Sequence, residues 1–220
     1  MQILITSVFA AGTDEISVGV EIRERETVSR EKFLISASLY TELGITKGEC
    51  DEELYVNLSQ EARIYAAFKR GMSILGFGGC SEKMLISKLI SKGFDKESAQ
   101  IAAARIRDKG FLCEQSNARR EAERCAAKLW GPIRIRAHLA SKGYGSDAVD
   151  DAVFSLEDNG VDFEDSCVRL VVSKCKANKL PRDREELQKL IASVMRCGYS
   201  SGQVKHALAA VANRKASIYD

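Results

Sequence analysis

The chain has 220 residues, 45% hydrophobic and 29% charged, with a formal net charge of +2. That balance predicts a folded globular protein and excludes a disordered or fibrous one. No uninterrupted apolar run approaches the roughly 20 residues that a membrane span needs.

The charge is unevenly spread. Residues 1–60 carry 5 Lys/Arg against 11 Asp/Glu and sit near −6, which leaves the remainder near +8. A basic body points to a polyanion or an acidic protein as partner. The seven cysteines are Cys50, Cys80, Cys113, Cys125, Cys167, Cys175 and Cys197, with no Cys-x-x-Cys pair and only two histidines beside them. That predicts reduced thiols filling core gaps, with no disulfide, metal site or cofactor.

The N-terminus, MQILITSVFAAG, lacks the basic n-region of an export signal and continues into alternating sequence. It reads as a first strand of a cytoplasmic protein. In Ser17-Val18-Gly19-Val20-Glu21-Ile22 the apolar residues alternate with small or charged ones, the period of a half-buried strand. With Ile3-Leu4-Ile5 before it and Phe33-Leu34-Ile35 after it, residues 1–57 read as a small, acidic, β-rich module ending in one helical turn, Ser38 to Leu43, at Gly44. From about Leu58 the period becomes helical: Ile64, Phe68, Met72 and Leu75 line one face, and Gly76-Phe77-Gly78-Gly79 ends the helix.

An internal repeat organises the rest. Shifted by 50 residues, positions 81–120 match 131–170 at ten of forty places, where chance at this composition gives about three. The matches include Leu89/Leu139, Ser91-Lys92-Gly93 with Ser141-Lys142-Gly143, Gly110/Gly160 and Arg119/Arg169. A more diverged third copy places Gly198-Tyr199 where Gly143-Tyr144 stood. Each such glycine suits the left-handed position just past a helix, and the aromatic after it packs back on the helix just ended. Ser81, Asp95 and Ser200 are N-cap types, Gln203 completes a capping box with Ser200, and Pro132 suits a first helical position. The expectation is a mainly α protein of three tandem three-helix repeats, 58–110, 111–160 and 161–220, in an elongated body behind the β-rich module.

The stretch SEKMLISKLISKGF, Ser81 to Phe94, resembles the first repeat of RecX regulatory proteins. Gly110-Phe111-Leu112-Cys113-Glu114 is similar to the family's glycine, aromatic and acid run. Trp130-Gly131-Pro132-Ile133-Arg134-Ile135-Arg136, leading to Leu139 and Lys142-Gly143, resembles its Gly-Pro-x-x-Ile/Leu-x-x-x-Leu-x-x-Lys-Gly segment. The resemblance covers about residues 60–212. It implies a non-enzymatic inhibitor of the RecA recombinase that binds RecA and its single-stranded DNA filament, with weak direct DNA binding, as a monomer. No catalytic residue is implied.

The candidate contacts are basic. Arg120, Arg124 and Lys128 fall at i, i+4 and i+8 after Glu114, opposite a small-residue core face of Ala118, Ala122, Cys125 and Leu129. Arg134 and Arg136 flank an inward Ile135, Lys142 ends that helix, and Lys88 and Lys92 hold the matching places one repeat earlier. Each has an ordinary alternative as a solvated face or a helix-end cation. Trp130 is expected to anchor a bend between repeats, and Arg119 to serve as a structural ion-pair partner. Cys125 and His138 suggest a nucleophile and base, but no third group is apparent to orient them, and His138 reads as an exposed helical residue. Two other functions compete: a helix-turn-helix DNA-binding regulator built on residues 81–108, and a helical adaptor without nucleic-acid contact. No Gly-Lys-Ser/Thr loop supports a nucleotide-binding enzyme.

Overall fold

The computed structural model describes residues 1–175 and 180–213. Residues 176–179 and 214–220 of the expected third repeat lie outside them. The chain forms two compact units, Met1–Leu112 and Cys113–Asp220.

The first unit opens with an antiparallel meander of β1 (Gln2–Gly12), β2 (Glu15–Glu24) and β3 (Thr27–Ser36). A fourth strand, β4 (Gly48–Cys50), pairs with the start of β1 and gives the order β3-β2-β1-β4. Three residues are too few to show a period of two, so β4 left no signal in the sequence. The alternation puts Ile3, Ile5, Val18, Val20 and Ile35 into one buried face. Glu21 sits at 7% exposure on the sheet, held by Arg23 and Arg30 at 2.7 and 3.0 Å. A short helix, α1 (Ala37–Glu42), follows, capped by the Ser36 hydroxyl.

Helix α2 (Glu52–Gly76) begins ahead of the periodic stretch that starts at Leu58. The Asp51 carboxylate accepts the Leu54 N–H at 2.7 Å, and Glu52 and Glu53 meet the positive end of the helix dipole. Its first half buries Leu58 and Ala62 on the sheet. Its second half turns Ala67, Phe68 and Met72 toward α3 (Glu82–Ser91) and α4 (Lys96–Asp108). One helix thus serves two cores. Lys69 is paired with Glu15 on the sheet, and Arg105 of α4 holds Glu61 of α2 by two hydrogen bonds, 2.8 and 2.9 Å.

The second unit holds α5 (Glu114–Ala126), α6 (Pro132–Ser141), α7 (Ser146–Asp158), α8 (Phe163–Lys174), α9 (Arg184–Arg196) and α10 (Ser201–Asn213). Among the described residues, the helices behind the β-rich module therefore come in three triples. Ends of α2 and α5, and both ends of α3 and α6 and of α4 and α7, fall 50 residues apart. In each triple the first and third helices pack together, with the middle one across them. Each triple has its own core; Ile135, Leu139 and Ala152 have no exposed surface in the second. Burying a side chain such as Leu139 contributes about 1.5–3 kcal/mol.

The helix ends follow the local chemistry. Phe94 N–H reaches Leu89 O at 3.3 Å and Tyr144 N–H reaches Leu139 O at 3.2 Å, the long bond of a Schellman cap. Ser200 and Gln203 exchange side-chain bonds to each other's backbone N–H at 3.2 and 3.0 Å, a capping box. Five of the seven cysteines are buried. Among the described residues no helix is long and apolar enough to cross a membrane.

Candidate partner-binding site

Two helices and the turn between them bring most of the sequence-selected cations together. On α5 the small residues Ala118, Ala122 and Cys125 are buried, which pins the opposite face outward. Arg120 and Arg124 lie on that face. The expected third member of the stripe does not continue it: α5 stops at Ala126, and Lys128 stands in the turn beyond. The cause is Leu129, whose φ of +57° reverses the chain while its N–H reaches Ala126 O at 2.8 Å. A left-handed leucine is strained by about 1–2 kcal/mol. Burial offsets this, since Leu129 packs into the third triple's core and its carbonyl accepts the Tyr199 hydroxyl at 3.1 Å.

Trp130 follows directly and carries the centre of the face. The Arg134 guanidinium stacks over its ring at 3.8 Å from the centroid, and the Lys128 ammonium sits 5.9 Å away. The His138 ring stands edge-on to it at 5.2 Å. The ring packs on the second triple's core, and the junction with the third triple is made beside it by backbone. Gly131 N–H donates to Cys197 O at 2.8 Å, and Ile133 N–H donates to Gly198 O at 3.2 Å. A Cβ on Gly131 would collide with the Gly198 carbonyl, so only glycine permits this approach.

Glu121 is the second centre. Its carboxylate meets His138 Nε2 at 2.8 Å, Lys142 Nζ at 3.1 Å and the Arg124 guanidinium at 3.4 Å, with only 14% of the side chain exposed. Burial pushes this carboxyl up, but the hydrogen bonds from His138 and Lys142 and the charges of Lys142 and Arg124 outweigh it and hold the pKa below the ordinary value. Burial, reinforced by the Glu121 charge, pushes the Cys125 thiol up, the reverse of what activates a nucleophile.

Arg124, Lys128, Arg134 and Lys142 are thus linked through Trp130, His138 and Glu121, with Arg120 exposed one turn before Arg124. Arg136 leaves this group and pairs with Asp150 of α7 at 3.2 Å. Lys88 and Lys92 lie exposed on the first unit, at the last turn and the C-cap of α3. Arg119 makes a two-pronged bond to Asp151, both arms 2.7 Å, in line with a structural part. Two residues escaped the sequence reading. His138 is not an exposed helical residue but has 26% of its side chain accessible, and Glu121 supplies the third group that no spacing revealed. The only signal was the i, i+4 placement of Glu121 and Cys125.

No protein-family model matches the chain. Individual relatives do. The chain is 25% identical over 156 residues to the regulatory protein RecX of Stenotrophomonas maltophilia (strain R551-3), covering 71% of this chain and 93% of that one. It is 31% identical over 124 residues to the regulatory protein RecX of Xanthomonas campestris pv. campestris (strain B100), covering 52% and 76%. Among solved structures, one described as a regulatory protein RecX aligns over 92% of this chain and 97% of its own, with TM-score 0.73 and 18% identity. RecX from Lactobacillus salivarius aligns over 68% and 96%, with TM-score 0.58 and 16% identity. The structural matches carry the fold, and the sequence matches carry the kinship: the chain belongs to the RecX family of regulatory proteins.

Proposed function

We propose that this RecX-family chain binds RecA and the RecA–single-stranded DNA filament, and thereby inhibits ATP hydrolysis and strand exchange without chemistry of its own. In this reading it acts as a cytoplasmic monomer, and the repeats 58–110, 111–160 and 161–220 are its docking units. The observation that carries it is the convergence of Arg124, Lys128, Arg134 and Lys142 on Trp130 and Glu121, beside an exposed Arg120. Guanidinium groups recognise phosphate and carboxylate by paired hydrogen bonds. A filament presents the same groove repeatedly, so modest contacts from successive repeats add through effective concentration. Lys88, Lys92 and Arg136 are assigned to the same task as supplementary contacts.

The operator-binding alternative meets a packing objection. The N-terminal turn of α4 would have to read base edges, yet Ser98 and Ala99 are buried there. An adaptor without nucleic-acid contact would bind irrespective of salt, whereas phosphate contacts weaken as salt rises.

The test is RecA's single-stranded-DNA-dependent ATP hydrolysis, with this protein titrated in below RecA's concentration. A fall is expected, together with weaker inhibition by the variant Arg120→Glu, Arg124→Glu, Lys128→Glu at unchanged helix content. Equal inhibition by that variant removes the face from the mechanism. No inhibition by the wild-type chain, with RecA from the same source, overturns the proposal as a whole.

A further inference from the structure

The geometry points to a binding site for one borderline-soft divalent cation, zinc foremost, between α5 and α6. Glu121 and Cys125 stand one turn apart on α5 and leave it on the same face, and His138 reaches them from α6. A carboxylate oxygen, the Cys125 Sγ and a ring nitrogen of His138 lie within 4.8 Å of one another. Tetrahedral coordination with legs of about 2.0–2.3 Å sets such donors roughly 3.3–3.6 Å apart. The remaining distance of about 1 Å is within reach of side-chain torsions.

Three features make this more than a chance meeting of polar groups. His138 Nε2 and Glu121 Oε1 already face each other at 2.8 Å across one proton, the place that a bridging cation takes. The donor set of one sulfur, one nitrogen and one oxygen suits zinc and is too soft for magnesium or calcium. Trp130 stands edge-on to His138, centroids 5.2 Å apart and planes at 90°, so the imidazole is packed against a neighbour and not loose in solvent.

On binding, the Cys125 S–H bond breaks and its proton leaves to solvent. The proton between His138 Nε2 and Glu121 Oε1 also departs while Nδ1 takes one from solvent, so the imidazole stays neutral and one proton is released in all. Thiolate and carboxylate then balance the two positive charges, and water completes the fourth position. Lys142 shares the Glu121 oxygen at 3.1 Å, but 40% of its side chain is exposed, so it can turn outward as the cation enters. The sequence reading missed this site because no two ligands form a familiar short motif; two come from one helix and the third from the next.

The experiment is a titration of the full chain with Co²⁺, whose thiolate complexes absorb in the near ultraviolet, followed by displacement with Zn²⁺. One equivalent should raise the thiolate-to-cobalt band, and zinc should remove it. Cys125→Ser should abolish the band, and His138→Gln and Glu121→Gln should weaken binding more than about 10- to 100-fold, the cost of outer-sphere changes alone. Cys113→Ser, which alters an exposed thiol, should change nothing. If Cys125→Ser fails to fold, His138→Gln decides, since that side chain lies at the rim. No band at one equivalent, a band that survives Cys125→Ser, an affinity unchanged in His138→Gln, or a band lost in Cys113→Ser overturns the site. The readout does not involve RecA, so its failure is distinct from failure of the proposed function.

Discussion

The first and second helical triples have the same frame and different centres. With the 50-residue shift that aligns α3 with α6 and α4 with α7, Glu121 falls on Gly71, Trp130 on Cys80, Arg134 on Met84 and His138 on Lys88. Where the second triple has a carboxylate joined to three basic side chains, the first has a glycine over which Ile106 closes. Lys92 and Lys142 occupy the same C-cap position, yet Lys142 is bonded to Glu121 and Lys92 stands in solvent. The lesson concerns what a repeat match means. Matching residues at helix ends report a shared backbone solution, whereas the side chains that differ decide which copy carries a polar centre.

Gly93 and Gly198 allow the sharpest test, because they share a backbone conformation and differ in surroundings. Their φ angles are +94° and +95°. A Cβ on Gly198 would overlap the Arg134 backbone N and Cβ, whereas a Cβ on Gly93 would meet nothing within 4 Å. Gly198→Ala should therefore lose about 2–5 kcal/mol in urea unfolding, from strain plus overpacking at the junction. Gly93→Ala should lose only about 1–2 kcal/mol, from strain alone. Equal losses would mean that the close approach at the junction contributes nothing.

Next in size is Glu121→Ala. Removing the carboxylate takes away the acceptor that His138 and Lys142 share and should cost about 1–3 kcal/mol, with a change in Trp130 fluorescence through His138. Gly71→Ala, at the matching position, forces only the Ile106 side chain to move. It should leave Trp130 fluorescence unchanged, since that ring belongs to the other triple. If both variants alter the fluorescence alike, the polar centre is not what distinguishes the copies.

The smallest effect is expected at an ion pair. Arg119 and Asp151 of the second triple fall on Lys69 and Ile101 of the first, and Lys69 instead holds Glu15 of the sheet. The hydrogen bond and charge of Arg119 hold the Asp151 carboxyl below its ordinary value. A carboxyl whose folded pKa is depressed contributes its stability fully above the unfolded pKa of about 3.9 and loses it as pH falls through the lower folded value. Asp151→Asn should thus lower thermal stability slightly at neutral pH, where the pair contributes fully, and lose that difference from the wild type as pH falls below about 4, which flattens the acid limb. A variant with an unaltered acid limb would show the pair to be idle.

Much of this fold was legible because its determinants are local. The glycine and aromatic at each helix end, the Ser200–Gln203 box and Pro132 at the start of α6 act within a few residues of backbone, so sequence spacing suffices to read them. The alternation in β2 and the helical period after Leu58 have the same origin. The start of α2 was misplaced because an Asp51 cap and two acids begin the helix before any apolar period can be seen.

The centre of the second triple was not legible, for a physical reason. Glu121 and His138 are 17 residues apart and on different helices, and Tyr199 reaches the Leu129 carbonyl across 70 residues. Such contacts depend on the angle and distance at which helices pack, which are set by the summed shapes of buried side chains. The sequence by itself determined the repeat, its turns and the placing of arginines along one face of α5 and at the start of α6. Only the tertiary structure decided that Lys128 leaves the stripe for Trp130, that Lys142 turns to Glu121, and that a thiol, an imidazole and a carboxylate meet, because packing fixes directions that spacing along the chain does not contain.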